Sequence, residues 1–254
     1  MAMARVLAFA NQKGGVGKTT SVVTVAAAMA EMGLRVLVVD LDAQACATFS
    51  LGVDPEDLQL DVRAVLVNRA EARQVLIRTQ EGVDLLPASI GLADADAAMA
   101  STKGRERAVR NALEPLQSQY DWMLLDCAPS LGIVTIGALI AAHAVAIPLQ
   151  CETLSHRGVG QLLQTIEEVR SFVNPKLAIA GIIPTQYDGR TLHARAVLSD
   201  LPERYNVTVL PAIHRSIRFA EAPAVGRTVL STAPNSVGAR DYRELALALV
   251  EQKY

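Results

Sequence analysis

Residues 11–20 read Asn11-Gln-Lys-Gly-Gly-Val-Gly-Lys-Thr-Thr20. Gly17, Lys18 and Thr19 match the close of the phosphate-loop pattern Gly-x-x-x-x-Gly-Lys-Ser/Thr. The first glycine of that pattern is absent, because Gln12 stands there, and a second lysine, Lys13, precedes Gly14, Gly15 and Val16. Glycines let a backbone turn tightly enough to aim several N–H groups at one point. A helix starting near Thr19 brings its positive N-terminal end to the same place. Lys18 then supplies a point charge for β- and γ-phosphates, and the Thr19 hydroxyl a ligand for Mg²⁺. The flanks agree: Arg5–Ala10 is a mostly apolar, strand-like run, and Thr20–Met32 is rich in alanine and valine with helical character.

Further along, apolar strand-like runs recur at Arg35–Asp40, Gly82–Leu86, Trp122–Asp126, Ala144–Leu149, Leu177–Ile183 and Val207–Leu210. Helical patterns fall at Gly104–Gln117, Ser155–Val173 and Ser236–Gln252. Such alternation predicts an α/β fold, a mostly parallel twisted sheet with helices on both faces. Ligands on these sheets sit beyond the carboxyl ends of the strands. The loop after Ala10 ends there, and so do two acid-tipped runs, Val36–Asp42 and Met123–Asp126. Asp126 has the character of a Walker-B acid that helps hold Mg²⁺. Asp42 is placed to orient or activate an attacking water. Either carboxylate, taken alone, is equally suited to capping the next helix.

Composition narrows the classes. At 254 residues and 51% hydrophobic, the chain can bury a large core, and a single domain over residues 1–254 is expected. A net charge of −2 argues against a globally basic nucleic-acid binder, though not against a local basic patch. With 4% aromatic residues, base stacking on an aromatic platform is not expected. The cysteines, Cys46, Cys127 and Cys151, are odd in number and far apart, which points to a reducing cytoplasm. No signal-peptide pattern and no membrane-span-length apolar run is present.

Five segments carry a family resemblance: Lys13–Thr20, Val39–Asp42, Leu125-Asp-Cys-Ala-Pro-Ser130, Pro148-Leu-Gln-Cys-Glu152 and Ser216-Ile-Arg-Phe-Ala-Glu-Ala-Pro223. Together they resemble the ParA/MinD group of deviant Walker-A ATPases, nearest to short ParA proteins of chromosome or plasmid partitioning. The resemblance implies an ATPase that closes as a homodimer around ATP and Mg²⁺. It implies that Lys13 reaches the partner's nucleotide and that Gly14 lies at the dimer contact. Gly15 to Thr20 would cradle phosphate, Thr19 and Asp126 would serve the metal, and Asp42 would be the catalytic acid. Two departures stand out. Where the family commonly has Asp-Pro-Gln-Gly-Asn, the chain has Asp42-Ala43-Gln44-Ala45-Cys46, and His214 replaces a proline before Arg215. His214 stands open between a role beside the nucleotide base and a plain surface position.

ParA relatives in the ATP state bind DNA without sequence preference, and the matching positions are Arg190 and Arg218, with Arg215 nearby. Phosphate contacts of this kind are salt-dependent. A ParB-like centromere-binding activator and a cytoplasmic, nucleoid-associated location follow from the same resemblance. No helix-turn-helix segment is evident, so operator-specific repression is not expected. A MinD-like membrane ATPase would end in a basic amphipathic helix. The stretch Tyr242–Tyr254 has Leu245, Leu249 and Val250 but few basic residues, so no stable membrane association is expected. A positioning ATPase for a protein cargo and a non-hydrolysing nucleotide switch remain open alternatives.

Overall fold

The structure, a computed structural model, describes residues 3–151 and 156–252. The described strands are β1 (Arg5–Phe9), β2 (Val36–Leu41), β3 (Ile77–Arg78), β4 (Asp84–Leu86), β5 (Trp122–Cys127), β6 (Ala144–Gln150) and β7 (Ala178–Thr185). They form one sheet in the order β3-β4-β2-β5-β1-β6-β7. Every pairing is parallel except the short antiparallel edge of β3 on β4, so the mostly parallel expectation holds. The longer helices are α1 (Lys18–Glu31), α2 (Ile133–Ala141), α3 (His156–Phe172), α4 (Leu192–Tyr205) and α5 (Val237–Glu251).

The central strands are buried on both faces, which is why they read as unbroken apolar runs. Leu7, Phe9, Val36, Val38 and Leu124 turn to one face. There they pack with Val22, Val25 and Met29 of α1 and with Tyr242, Leu245 and Leu249 of α5. Val6, Ala8, Leu37, Val39 and Leu125 turn to the other, against Ala138 and Leu139 of α2 and Val159, Leu162 and Ile166 of α3. Asp40 and Asp126 are the acids within β1, β2, β5 and β6, and both fall near the carboxyl ends of their strands. The register sets Phe9, Asp126 and Asp40 side by side across β1, β5 and β2. The phosphate loop leaving β1 therefore starts beside both carboxylates.

Two expectations are corrected. Val207–Leu210 is not a ladder strand. It makes a single bridge, Ile182 to Val209, with Ile182 N donating to Thr208 O at 2.9 Å and Leu210 N to Ile182 O at 2.8 Å. Asn206, at φ 51°, and Pro211 bound the segment and stop the pairing from spreading. Gly104–Gln117 is not one helix: an α-helix at Ala108–Leu113 is flanked by 3₁₀ turns at Arg105–Arg107 and Glu114–Leu116. Pro115 lacks the N–H that an α ladder needs there. The Ser155–Val173 pattern is a helix over His156–Phe172 among the described residues; Ser155, Glu152 of the fourth family segment and Tyr254 lie outside them. Edge strand β3 and helices α2 and α4 are additions that the sequence patterns did not mark.

Candidate nucleotide site

Beyond the ends of β1, β2 and β5 lies an open cleft of about 650 Å³. Gly14, Gly15, Gly17, Lys18, Thr19 and Thr20 line it, with Asp42 on one wall. Gly15 (φ 72°) and Gly17 (φ 81°) hold the left-handed backbone that a side chain would strain, and Gly17 caps α1. The loop is braced from behind. Thr185 Oγ1 donates to Val16 O at 2.8 Å and Gln186 Nε2 to Gly15 O at 2.8 Å. Val16 itself is wholly buried, so any contact with a ligand would come from its backbone.

The two loop lysines diverge. Lys18 is 7% exposed, lines the cleft, and its Nζ donates to Lys13 O at 3.3 Å. Burial lowers its pKa, against the opposing pull of Asp126 and Asp42. Lys13 is not among the cleft-lining residues. Its Nζ donates to Gln150 Oε1 at 3.2 Å, and its N–H to Asn11 Oδ1 at 3.0 Å.

Three carboxylates crowd the opposite side. The Thr19 hydroxyl donates to Asp126 Oδ2 at 2.7 Å, while Asp126 Oδ1 is buried with no hydrogen-bond partner. Burial raises the Asp126 pKa well above the ordinary range, and the Asp40 charge raises it further. A buried, orphaned carboxylate oxygen beside a hydroxyl is what a Mg²⁺ site with few protein ligands requires. Thr19 and Asp126 thus fit the metal. Asp40 is fully buried. Its Oδ1 accepts from Asp42 N at 3.1 Å, and its Oδ2 from Thr48 N at 2.9 Å and Thr48 Oγ1 at 2.7 Å. Burial pushes its pKa up to about 6 despite these bonds. Asp40 pins both ends of the loop that carries Asp42, whose own Oδ1 accepts from Gln44 N at 3.0 Å.

A family model described as an AAA domain matches residues 4–179. The sporulation initiation inhibitor protein Soj of Bacillus subtilis is 39% identical over 246 residues, 96% of this chain and 97% of that protein. The chromosome-partitioning ATPase Soj of Thermus thermophilus is 44% identical over 247 residues, 96% and 95% of the two chains. The chain belongs to the ParA family of P-loop ATPases. Among solved structures, a Mycobacterium smegmatis protein named cobyrinic acid a,c-diamide synthase, bound to an ATP analog and magnesium, is 49% identical. It has a TM-score of 0.88 over 97% of this chain and 94% of that one.

Ile213, Phe219 and Tyr242 form the apolar end of the cleft, suited to a flat base. Phe219 meets the Tyr242 ring edge-on at 5.4 Å. Phe219 lies inside the Ser216–Pro223 segment, yet its packing comes from α5, so nothing local marks it. His214 is not a cleft residue. Asp241 of α5 accepts from both its backbone N–H (2.9 Å) and its Nδ1 (3.0 Å), and its ring meets Tyr187 edge-on at 5.5 Å.

The three candidate DNA-binding arginines are brought to one region by different means. Tyr187 N donates to Ile213 O at 2.9 Å and Arg215 N to Tyr187 O at 3.1 Å, which zips the loop after β7 to the 213–218 segment. Arg215 lines the nucleotide cleft. Arg218 is exposed at the start of the short helix Arg218–Glu221. Arg190 is gripped by Asp188, with Nε to Oδ1 at 2.9 Å and Nη2 to Oδ2 at 2.8 Å. Hydrogen bonds from Arg190 hold the Asp188 pKa down to about 2.

Proposed function

We propose that the chain is a partitioning ATPase. Two copies close on two molecules of Mg²⁺-ATP, and the closed dimer binds DNA without sequence preference. Hydrolysis, stimulated by a ParB-like centromere-binding partner, releases it. The observation that carries this reading is the divergence of the two loop lysines. Lys18 serves its own cleft, whereas Lys13 stands outside it, poised for a nucleotide held by another copy. Gly14 agrees: a side chain there would meet nothing within 4 Å, so the face is open to a second loop.

In this reading the loop N–H groups and Lys18 hold the triphosphate. Thr19 and Asp126 hold Mg²⁺, which neutralises phosphate charge when bound. Asp42, fixed by Asp40, orients the attacking water and takes its proton. The arginines then act on DNA phosphates, and two copies double their number. The protein works as one domain in the cytoplasm at the nucleoid. No described helix is long and apolar enough to cross a membrane, and α5 spends its apolar face on the core, which favours DNA over a lipid surface.

Light scattering after size exclusion tests the dimer. A doubling of mass with Mg²⁺-ATP, absent with ADP, is expected, and a monomer under both conditions refutes the composite site. ATP turnover raised by DNA plus a centromere-binding partner supports partitioning. Turnover raised only by a corrin carboxylate and an amide-nitrogen donor would support instead the activity named for the M. smegmatis neighbour.

A further inference from the structure

Gln150 is the last residue of β6, and Gln186 follows directly on β7, its partner in the sheet. Gln186 holds a left-handed backbone at φ 51°, a conformation that a non-glycine residue keeps only when its surroundings hold it. Its side chain faces two ways: Nε2 donates to Gly15 O at 2.8 Å, and Oε1 accepts from Gln150 Nε2 at 2.9 Å. Gln150 Oε1 in turn accepts from Lys13 Nζ at 3.2 Å. Both ends of this two-glutamine chain land on the phosphate loop, at Gly15 and at Lys13. The next residues carry the zipper to Arg215 and the Asp188–Arg190 pair.

We propose that Gln150 and Gln186 are positioning residues for Lys13. They park its ammonium within its own subunit and tie that parked state to the loop presenting Arg190. The proposal rests on the reading that Lys13 serves the nucleotide of a second copy. Lys13 must leave Gln150 to reach that nucleotide. Its departure removes one of the bonds that fix the Gln150 amide, the chain through Gln186 to Gly15 loosens at that end, and the loop through Arg190 gains freedom as the dimer closes. The two bonds of Gln186 are solvent-exposed and that of Lys13 is part-buried, so each contributes modestly. They make a latch that dimerisation can open.

The test uses the full chain with Gln186→Met, which keeps the length but removes the amide. A second variant, Gln186→Gly, accepts the left-handed backbone without strain and folds even if the first does not. In nucleotide-free protein, acylation of Lys13 by an N-hydroxysuccinimide ester is read by mass spectrometry, with the exposed Lys103 as internal reference. Both variants should raise the Lys13 rate by about two- to fivefold, the scale expected when the two exposed hydrogen bonds of Gln186 that support Gln150 and Gly15 are lost. In an Asp42→Ala background with Mg²⁺-ATP, the dimer dissociation constant should fall by about the same factor. Unchanged Lys13 reactivity in both variants overturns the latch. A wild type that acylates as expected but never dimerises with ATP leaves the latch standing and overturns the composite-site reading.

Discussion

The nucleotide cleft and the arginine-bearing surface sit on the same end of the sheet, yet they are built in opposite ways. The cleft draws on the ends of buried strands, and two of its three acids, Asp40 and Asp126, are desolvated, in register and pinned by short hydrogen bonds. The surface draws on loops, and its cations are exposed or already paired, as Arg190 is with Asp188 at 91% and 33% side-chain exposure. Desolvated groups interact strongly within one chain, whereas exposed charges interact weakly and are screened by salt. One copy therefore suffices to bind a nucleotide but supplies only a few weak phosphate contacts. In the proposed reading, affinity for DNA comes from adding copies.

Breaking the buried side should have the largest consequences. Lys18→Ala removes the cation inside the cleft and should lower Mg²⁺-ATP affinity by about 100-fold in calorimetry, the scale of lost charge-assisted hydrogen bonds. A loss under tenfold would mean that the cleft does not depend on that charge. Asp42→Ala should cut turnover by about 100-fold or more while ATP still binds, the usual cost of removing a positioned base. Unaltered turnover would return Asp42 to a mere cap.

Asp40 sharpens the contrast through pH. The folded chain protonates Asp40 near pH 6, the unfolded chain near about 3.9. Between these values the folded state holds the extra proton, so this group makes the nucleotide-free protein less stable as pH rises from about 4 to about 6. Thermal melts across that window should show the dependence in wild type and a shallower one in Asp40→Asn, where buried Asp126 still contributes with the same sign. Parallel profiles would contradict the desolvation of Asp40.

Effects on the exposed side should be smaller. Arg218→Glu should weaken DNA binding of the ATP dimer by about tenfold and flatten its salt dependence, by roughly one unit of slope for each phosphate contact removed. Asp188→Asn should strengthen binding by about two- to threefold by freeing Arg190, the scale of one exposed ion pair. A fall in affinity would show that Asp188 orients Arg190 instead of restraining it.

This division also explains what could be read from the chain alone. Lys18, Thr19 and Asp126 were legible because the phosphate loop is local and the strand preceding Asp126 is a buried apolar run. The same logic exposed Asp42 but passed over Asp40, whose role depends on Thr48, eight residues away. Thr185 and Gln186 brace the loop from 169 and 171 residues away, and no periodicity reports such a bond. Val207–Leu210 has strand composition, yet what decides its fate is the punctuation by Asn206 and Pro211. Arg215 was grouped with the DNA contacts by its neighbours in sequence; that it also lines the cleft follows from the zipper to Tyr187, which no local pattern reports.

In the proposed reading one chain suffices to bind a nucleotide, whereas closure over that nucleotide by the second Lys13 and tight binding to DNA both need two. Fluorescence anisotropy of a labelled duplex of arbitrary sequence, titrated with Asp42→Ala protein in Mg²⁺-ATP and in Mg²⁺-ADP, tests it directly. A sigmoidal rise with protein concentration is expected in ATP, at the concentration where light scattering detects dimer, with little binding in ADP. A hyperbolic curve at monomer concentrations, or equal binding with both nucleotides, would contradict it.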